Sequence, residues 1–181
     1  MKKAIFLLSF IVLTLGLFAQ KKTTTSAIVT FDATTSLDNL PKAENKTVIA
    51  AIDIETGSVQ FEAAVKNFAF ANPSMQGHFN GTKWMNSDEF PKFTFNGAII
   101  DPSKTNLTKD GTYNVSVTGD LTVKNITKQI TVPVAITVKE GILNATTDFT
   151  INLSDYEITG APVDAGKVSP KPRITVSAGF K

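Results

Sequence analysis

From about residue 24 onward the chain alternates apolar with polar side chains, and this period of two constrains its fold more than any other feature. Successive side chains of a strand point to opposite faces of a sheet, so an alternating segment forms a strand with one dry and one wet face. The clearest example runs from Tyr113 to Val123. Half-buried strands of this kind usually pair antiparallel. The pattern therefore predicts an all-β protein built from antiparallel strands.

Eight strands are predicted, and turn residues separate them. They lie near 26–36, 47–54, 58–66, 91–100, 111–123, 129–138, 142–153 and 172–180. The breaks at 55–57, 109–111 and 139–141 each end in glycine, which permits the positive φ of a tight turn. A further tight turn is predicted at 125–128. Pro133 falls inside a predicted strand and indicates a bulge or an edge, because proline cannot donate to a sheet ladder.

Two segments, 72–89 and 155–171, lack the alternation. Asn72 followed by Pro73 is typical of a helix start, so a short helical segment is predicted near 73–87. Eight long strands with one dry face close into an antiparallel barrel or fold into a sandwich. An eight-stranded barrel either fills its interior with side chains or holds a small ligand. The alternation alone does not decide between these alternatives.

The first twenty residues, MKKAIFLLSFIVLTLGLFAQ, have the layout of a secretory signal peptide. Two lysines precede an apolar run that ends near Phe18, and the small residue Ala19 follows. This run is shorter than the ~20 apolar residues that a membrane-spanning helix needs. We therefore expect 1–20 to be removed and 21–181 to form one periplasmic or secreted domain without a stable membrane span.

Composition argues against several classes of function. The net charge is +2 and basic residues do not cluster, which gives no support for a nucleic-acid partner. The chain lacks cysteine and has one histidine, so thiol chemistry and multi-histidine zinc sites are excluded. No Gly-x-Ser-x-Gly nucleophile motif occurs. We therefore expect a non-enzymatic protein without a metal or a cofactor.

The rare side chains of the sequence gather between residues 75 and 95. His78 and Trp84 are single occurrences in the chain. For the histidine, three interpretations stay open: a structural hydrogen bond, a polar contact with a ligand head group, or catalysis. The apolar residues of the segment are expected to form a plug that closes one end of a barrel and contacts whatever fills it. They are Met75, Phe79, Trp84, Met85 and Phe90.

Several motifs carry a family resemblance. They are His78-Phe79, Trp84-Met85-Asn86, Phe90-Pro91, Phe93-Thr94-Phe95, the stretch 119–123 followed by Thr127-Lys128, and the stretch 149–158 with Asp155-Tyr156. In order and spacing they resemble the YceI-like family, the bacterial polyisoprenoid-binding proteins. The chain departs from the family pattern at Gln76-Gly77, where an arginine–acid pair often stands, and at Asn86, where an acid is usual.

The resemblance implies an extended, lipocalin-like, eight-stranded antiparallel barrel. It also implies a long isoprenoid ligand, either an isoprenoid quinone or a polyprenyl phosphate, which the protein would transport, store or sequester. The residues expected to contact the ligand are inward side chains of the strands and members of the 75–95 segment. They are Phe61, Val65, Met75, His78, Phe79, Trp84, Met85, Phe90, Phe93, Phe95, Tyr113, Val115, Val117 and Ile136.

The rival hypothesis is a structural or interaction module whose barrel is packed solid and whose loops bind a protein partner. The sequence leaves open whether the protein forms a homodimer. It also does not identify the lipid, its chain length or its pathway.

Overall fold

The computed structural model describes residues 21–181, so the predicted signal peptide lies outside the described residues. Nine strands are present in this part of the chain: β1 (Lys21–Asp32), β2 (Lys42–Asp53), β3 (Ser58–Ala64), β4 (Ala69–Phe70), β5 (Lys92–Ile99), β6 (Gly111–Val123), β7 (Ile126–Lys139), β8 (Ile142–Thr150) and β9 (Arg173–Phe180). Two short α-helices accompany them, α1 (Pro73–Asn80) and α2 (Ala161–Asp164). Single 3₁₀ turns lie at Val65–Asn67, Pro102–Lys104 and Leu153–Tyr156.

Eight of the strands close into an antiparallel barrel. The order around the wall is β1-β9-β8-β7-β6-β5-β3-β2, and the pairing of β1 with β2 completes the ring. The two-residue strand β4 adds to the beginning of β2 outside this ring. Each strand of a closed ring has a partner on both sides, whereas the outer strands of an open sandwich have one. The eight-stranded antiparallel barrel is therefore confirmed, and the sandwich alternative is wrong.

The strands β1 and β2 begin five residues earlier than the alternation predicted, at Lys21 and Lys42. Residues 21–26 read KKTTTS and are polar on both faces, so periodicity cannot detect them. In β2 the pattern is interrupted by Asn45, which is fully buried. Its side chain donates to the Ala64 carbonyl at 3.0 Å and accepts from the Thr47 backbone N–H at 2.9 Å. These hydrogen bonds allow a polar residue to occupy a core position.

Other boundaries also differ from prediction. β1 ends at Asp32 rather than near 36, because the Asp32 carboxylate accepts from the backbone N–H and the hydroxyl of Thr34 and turns the chain. β8 ends at Thr150 rather than near 153. The predicted turn at 125–128 is wrong, since Lys124 and Asn125 form it with φ of 51° and 65°, and β7 follows directly.

Pro133 marks the place where β7 and β8 separate. The ladder between them ends at the pair Val134↔Thr147, although β8 continues along β9 as far as Thr150. The Thr147 hydroxyl donates to the Pro133 carbonyl at 2.6 Å in place of a ladder bond. The β6–β7 pairing runs through Pro133 in regular register. The edge interpretation of Pro133 is therefore confirmed on the β8 side, and the bulge interpretation is wrong.

The helix α1 starts as predicted, because the Asn72 side chain accepts from the backbone N–H groups of Ser74 and Met75, and Pro73 occupies the first turn. It ends at Asn80, seven residues before the predicted end, and turns follow as far as Glu89. The segment from Val65 to Pro91 connects the end of β3 to the start of β5. It therefore lies at one end of the barrel, which we call the α1 end.

Two paired glycines allow β5, β6 and the Phe95 ring to approach one another closely. Gly97 lies opposite Gly119, and both face inward in the alternation of their strands. A Cβ atom on Gly119 would lie 2.5 Å from the Asn96 carbonyl oxygen and 2.7 Å from Cζ of Phe95. The Phe95 ring thus packs over the two glycines and occupies the space that their side chains would need.

We predict that Gly119→Ala destabilises the fold by about 1–3 kcal/mol, because the added methyl group collides with backbone and not only with the Phe95 ring. Gly77→Ala is the control, since it lies within α1 and a Cβ there meets no atom within 4 Å. It is expected to stabilise by about 0.5–1 kcal/mol through helix propensity. Urea unfolding measures both, and equal effects would contradict the close approach of β5 and β6.

Candidate ligand-binding cavity

The barrel is hollow. Its cavity has a volume of about 180 Å³ for the centres of water-sized molecules, within about 1340 Å³ of atom-free space that includes its open part. Thirty residues line it, and every one of the eight barrel strands contributes. A cavity of this size among apolar side chains is large for a packed core, whose voids seldom exceed a water molecule. The interior therefore has room for a ligand.

The wall of the cavity carries no charged side chain. Its only polar residues are the threonines Thr94, Thr146 and Thr147, and the hydroxyl of Thr147 is already bonded to the Pro133 carbonyl. Such a wall can bind apolar surface but supplies no acid, base or nucleophile with an activating partner. Within residues 21–181 no group of three or more His, Cys, Asp or Glu side chains is placed to hold a metal. The site therefore offers a ligand burial of its apolar surface rather than catalytic groups.

A cluster of phenylalanines closes the cavity at the α1 end. The ring centroid of Phe79, from α1, lies 6.1 Å from that of Phe31, 6.0 Å from Phe68 and 4.9 Å from Phe70. The cluster continues from Phe68 to Phe93 at 5.8 Å. All four pairs are tilted, an arrangement that aromatic rings favour. This cluster anchors the inner face of α1 to the barrel wall.

Half of the fourteen residues predicted to contact a ligand lie in the cavity wall. They are Phe61, Phe79, Met85, Phe93, Phe95, Val117 and Ile136. The other seven do not line the cavity, and they are Val65, Met75, His78, Trp84, Phe90, Tyr113 and Val115. The structure holds no ligand, so contact with one stays a prediction for all fourteen.

The seven residues outside the wall have different surroundings. Val65 is fully buried, and Trp84 is partly buried against the core beside α1. Tyr113 donates its hydroxyl to the Lys109 carbonyl at 3.1 Å. His78 is exposed on the outer face of α1, and its side chain forms no hydrogen bond within the described residues. The structural hydrogen bond considered for His78 is therefore not formed.

Sequence reasoning missed more than half of the wall. Val29, Phe31 and Phe149 follow the alternation of their strands and were recognisable as inward residues. Phe68 follows the 3₁₀ turn after β3, and Ile158 lies in a loop after β8, and neither place has a periodic signal. Burial of such loop residues depends on tertiary packing, which periodicity does not report.

The described chain has three buried side-chain atoms without a hydrogen-bond partner: Nε2 of Gln76, Oδ1 of Asn80 and the hydroxyl of Tyr156. Two belong to α1, and the third belongs to the 3₁₀ turn that follows β8. The ends of β8 and β3 meet at the same end of the barrel, so all three lie at the α1 end. Burial, with a smaller contribution from Asp155, raises the pKa of Tyr156 to about 12.

The raised pKa predicts a loss of stability at high pH. An exposed tyrosine has a pKa near 10. Between pH 10 and 12 the unfolded chain therefore releases the Tyr156 proton while the folded chain, with its pKa of about 12, retains it. The stabilisation is complete below pH 10 and declines as pH rises, so we expect a loss of about 2 kcal/mol by pH 12. Tyr156→Phe should remove this part of the decline, as urea midpoints at pH 9 and pH 11.5 will measure. Parallel declines in both proteins would contradict the assignment.

The fold matches known structures at low sequence identity. The polyisoprenoid binding domain from Saccharophagus degradans aligns with a TM-score of 0.74 and 10% identity, over 90% of this chain and 98% of that one. Burkholderia cenocepacia BcnA aligns with a TM-score of 0.69 and 20% identity, over 86% and 96%. The Campylobacter jejuni YCEI protein aligns with a TM-score of 0.54 and 13% identity, over 99% and 94%. At these identities the structures show a shared fold alone.

No curated protein matches the sequence. The family of YceI-like domains does match, and the match runs from residue 12 to residue 180. It covers nearly the whole of the 181-residue chain, including all eight strands of the barrel wall from Lys21 onward. The chain therefore belongs to the YceI-like family.

Proposed function

We propose that the protein is a binding protein for a long isoprenoid lipid, which it holds in the barrel cavity for transport, storage or sequestration. The observation that carries the proposal is the wall of the cavity, whose thirty residues include no charged side chain and only three threonines. A wall of this kind excludes polar ligands, since their groups would be buried without partners. It favours a ligand that is apolar over most of its length.

The comparisons support the same ligand class. The chain belongs to the YceI-like family, and one of its structural relatives is described as a polyisoprenoid binding domain. The rings of Phe61, Phe95 and Phe149 in the wall suit a branched, unsaturated chain, because aromatic faces make large apolar contacts. The family, the fold and the apolar wall of the cavity therefore all support lipid binding.

The energetics favour a long tail. Burial of each methylene contributes about 0.8 kcal/mol, and association costs about 4–15 kcal/mol. An isoprenoid tail with tens of carbons exceeds that cost even when only part of it enters the barrel. Selectivity along the tail then depends on its length and shape rather than on hydrogen bonds.

We further propose that the protein acts outside the cytoplasm after removal of residues 1–20, whose sequence has the layout of a signal peptide. Within residues 21–181 no helix is long and apolar enough to cross a membrane. The intact mass of protein recovered from the periplasm or the medium tests this proposal. A product that begins near Gln20 or Lys21 supports export, and a membrane-bound product that retains Met1 refutes it.

The binding proposal is tested by mass spectrometry of organic extracts from the freshly purified protein, which should contain a lipid with an isoprenoid tail. Ala145→Phe is the matching variant, because Ala145 lines the cavity and a phenyl ring there fills part of the space. Its extract should contain at least tenfold less lipid per mole of protein.

The control is Asn144→Phe, which places the same ring on the exposed outer face of β8. It should retain the lipid content of the unchanged protein. Extracts without isoprenoid lipid, combined with no response of Trp84 fluorescence to added isoprenoid quinone, would refute the proposal and favour a structural or interaction module. Circular dichroism confirms that both variants keep the barrel.

A further inference from the structure

The inner face of α1 combines the apolar anchor Phe79 with two amide side chains. Gln76, Phe79 and Asn80 are spaced i, i+3 and i+4, so they share one side of the helix. The residues on the other side, including Gly77 and His78, are exposed. Phe79 is 5% exposed and lines the cavity. The two amides therefore flank a residue of the cavity wall.

The free end of Gln76 is a buried donor. Its Oε1 accepts from the Phe70 backbone N–H at 3.1 Å, which fixes the orientation of the amide and leaves Nε2 without a partner. The Phe70 ring lies 4.9 Å from the ring of Phe79. The buried N–H₂ group thus lies next to the phenylalanine cluster at the closed end of the cavity.

The free end of Asn80 is a buried acceptor. Its backbone carbonyl accepts from the backbone N–H of Ser87 at 3.0 Å and from the Ser87 hydroxyl at 3.2 Å, while Oδ1 has no partner. The adjacent Phe79 carbonyl accepts from the N–H of Met85 at 3.1 Å, and Met85 lines the cavity. A donor and an acceptor, one helical turn apart, are thus buried without a partner in the protein, and they flank Phe79, which lines the cavity.

No buried cation accompanies these amides. The lysine nearest in sequence, Lys83, is exposed. Lys66 and Lys92 are also exposed, and they pair with Asp88 at 2.5 Å and with Glu62 at 2.8 Å. The cavity wall has no charged residue. A phosphate carried into this end would be buried without a counter-charge, which is far more costly than burial of a neutral group. A hydroxyl group, in contrast, can pair with both the amide donor and the amide acceptor, and a carbonyl group can pair with the donor.

We propose that Gln76 and Asn80 form a head-group subsite for an uncharged isoprenoid lipid that carries a hydroxyl or a carbonyl, and that the protein discriminates against phosphorylated lipids of the same chain. This inference rests on the proposed function. It assigns to α1 the choice of head group, while the barrel wall binds the tail. It also places the polar contact on the inner face of α1 rather than at the exposed His78.

Solanesol and solanesyl phosphate test the proposal, because they share one nonaprenyl chain and differ only in the head group. Both are titrated from the same mild detergent into delipidated protein, with Trp84 fluorescence as the signal. Solanesol should bind at least tenfold more tightly. Equal or tighter binding of the phosphate overturns the head-group subsite and leaves the proposed function intact. Binding of neither lipid overturns both.

Asn80→Leu tests the acceptor. It removes an unpaired buried oxygen at similar side-chain volume, so the melting temperature of the ligand-free protein should rise. The affinity for solanesol should fall about 2- to 10-fold, the range of one ordinary hydrogen bond. Opposite signs for stability and affinity are not expected of a purely structural residue. An unchanged ratio between the alcohol and the phosphate would overturn the role of Asn80.

Gln76→Glu tests the donor. It keeps an oxygen for the Phe70 N–H but cannot donate once the carboxyl group is ionised, so at pH 8 solanesol affinity should fall by a similar factor. His78→Ala, on the exposed face of the same helix, is the control and should change neither affinity nor the preference between the two lipids. Equal losses in Gln76→Glu and His78→Ala would overturn the assignment to the inner face of α1.

Discussion

Closure of the barrel by the ladder between β1 and β2 is the constraint on which the hollow interior depends. The ladder runs from Lys21↔Asp53 to Asp32↔Lys42, with register shifts between Thr24 and Val29, so the first and second strands hold the ring together from end to end. Each strand of the wall pairs with two neighbours over at least part of its length, and the chain has no disulfide to assist it. A closed hydrogen-bonded wall can keep apolar side chains apart, whereas an open sheet would fold onto itself to bury them.

The same closure explains why the buried polar atoms without a partner lie at the α1 end and not in the barrel wall. The side chains that line the cavity are apolar apart from three threonines, so the wall offers a ligand apolar contact and few polar groups. At the α1 end the chain leaves the sheet, and loops must cover the opening. Phe79 anchors this cover through contacts with Phe31, Phe68 and Phe70. The three buried side-chain atoms without a partner in residues 21–181 all belong to this cover, because loops can place side chains that a strand alternation cannot.

The sequence predicts the strands of this protein better than its loops. Alternation predicts the barrel strands and the inward positions of Phe61, Val117 and Ile136, because pleating forces every second side chain to one face. It cannot place Phe68 or Ile158, which are buried by loops, and it cannot show that the interior is hollow rather than packed. Asn45 shows a further limit, since a buried asparagine with its hydrogen bonds satisfied has the appearance of a surface residue in the sequence.

The unpaired polar atoms at the α1 end connect stability with binding. Each buried donor or acceptor without a partner costs the ligand-free protein about 1–3 kcal/mol, and natural folds seldom retain such groups without a use. A ligand that satisfies them recovers this free energy and adds that of its buried tail. Because a ligand bound only to the folded state stabilises it by RT ln(1 + [L]/Kd), occupancy and stability must rise together. Under the proposed function, the covering segment is weakest when the cavity is empty, which is the state in which a lipid would enter.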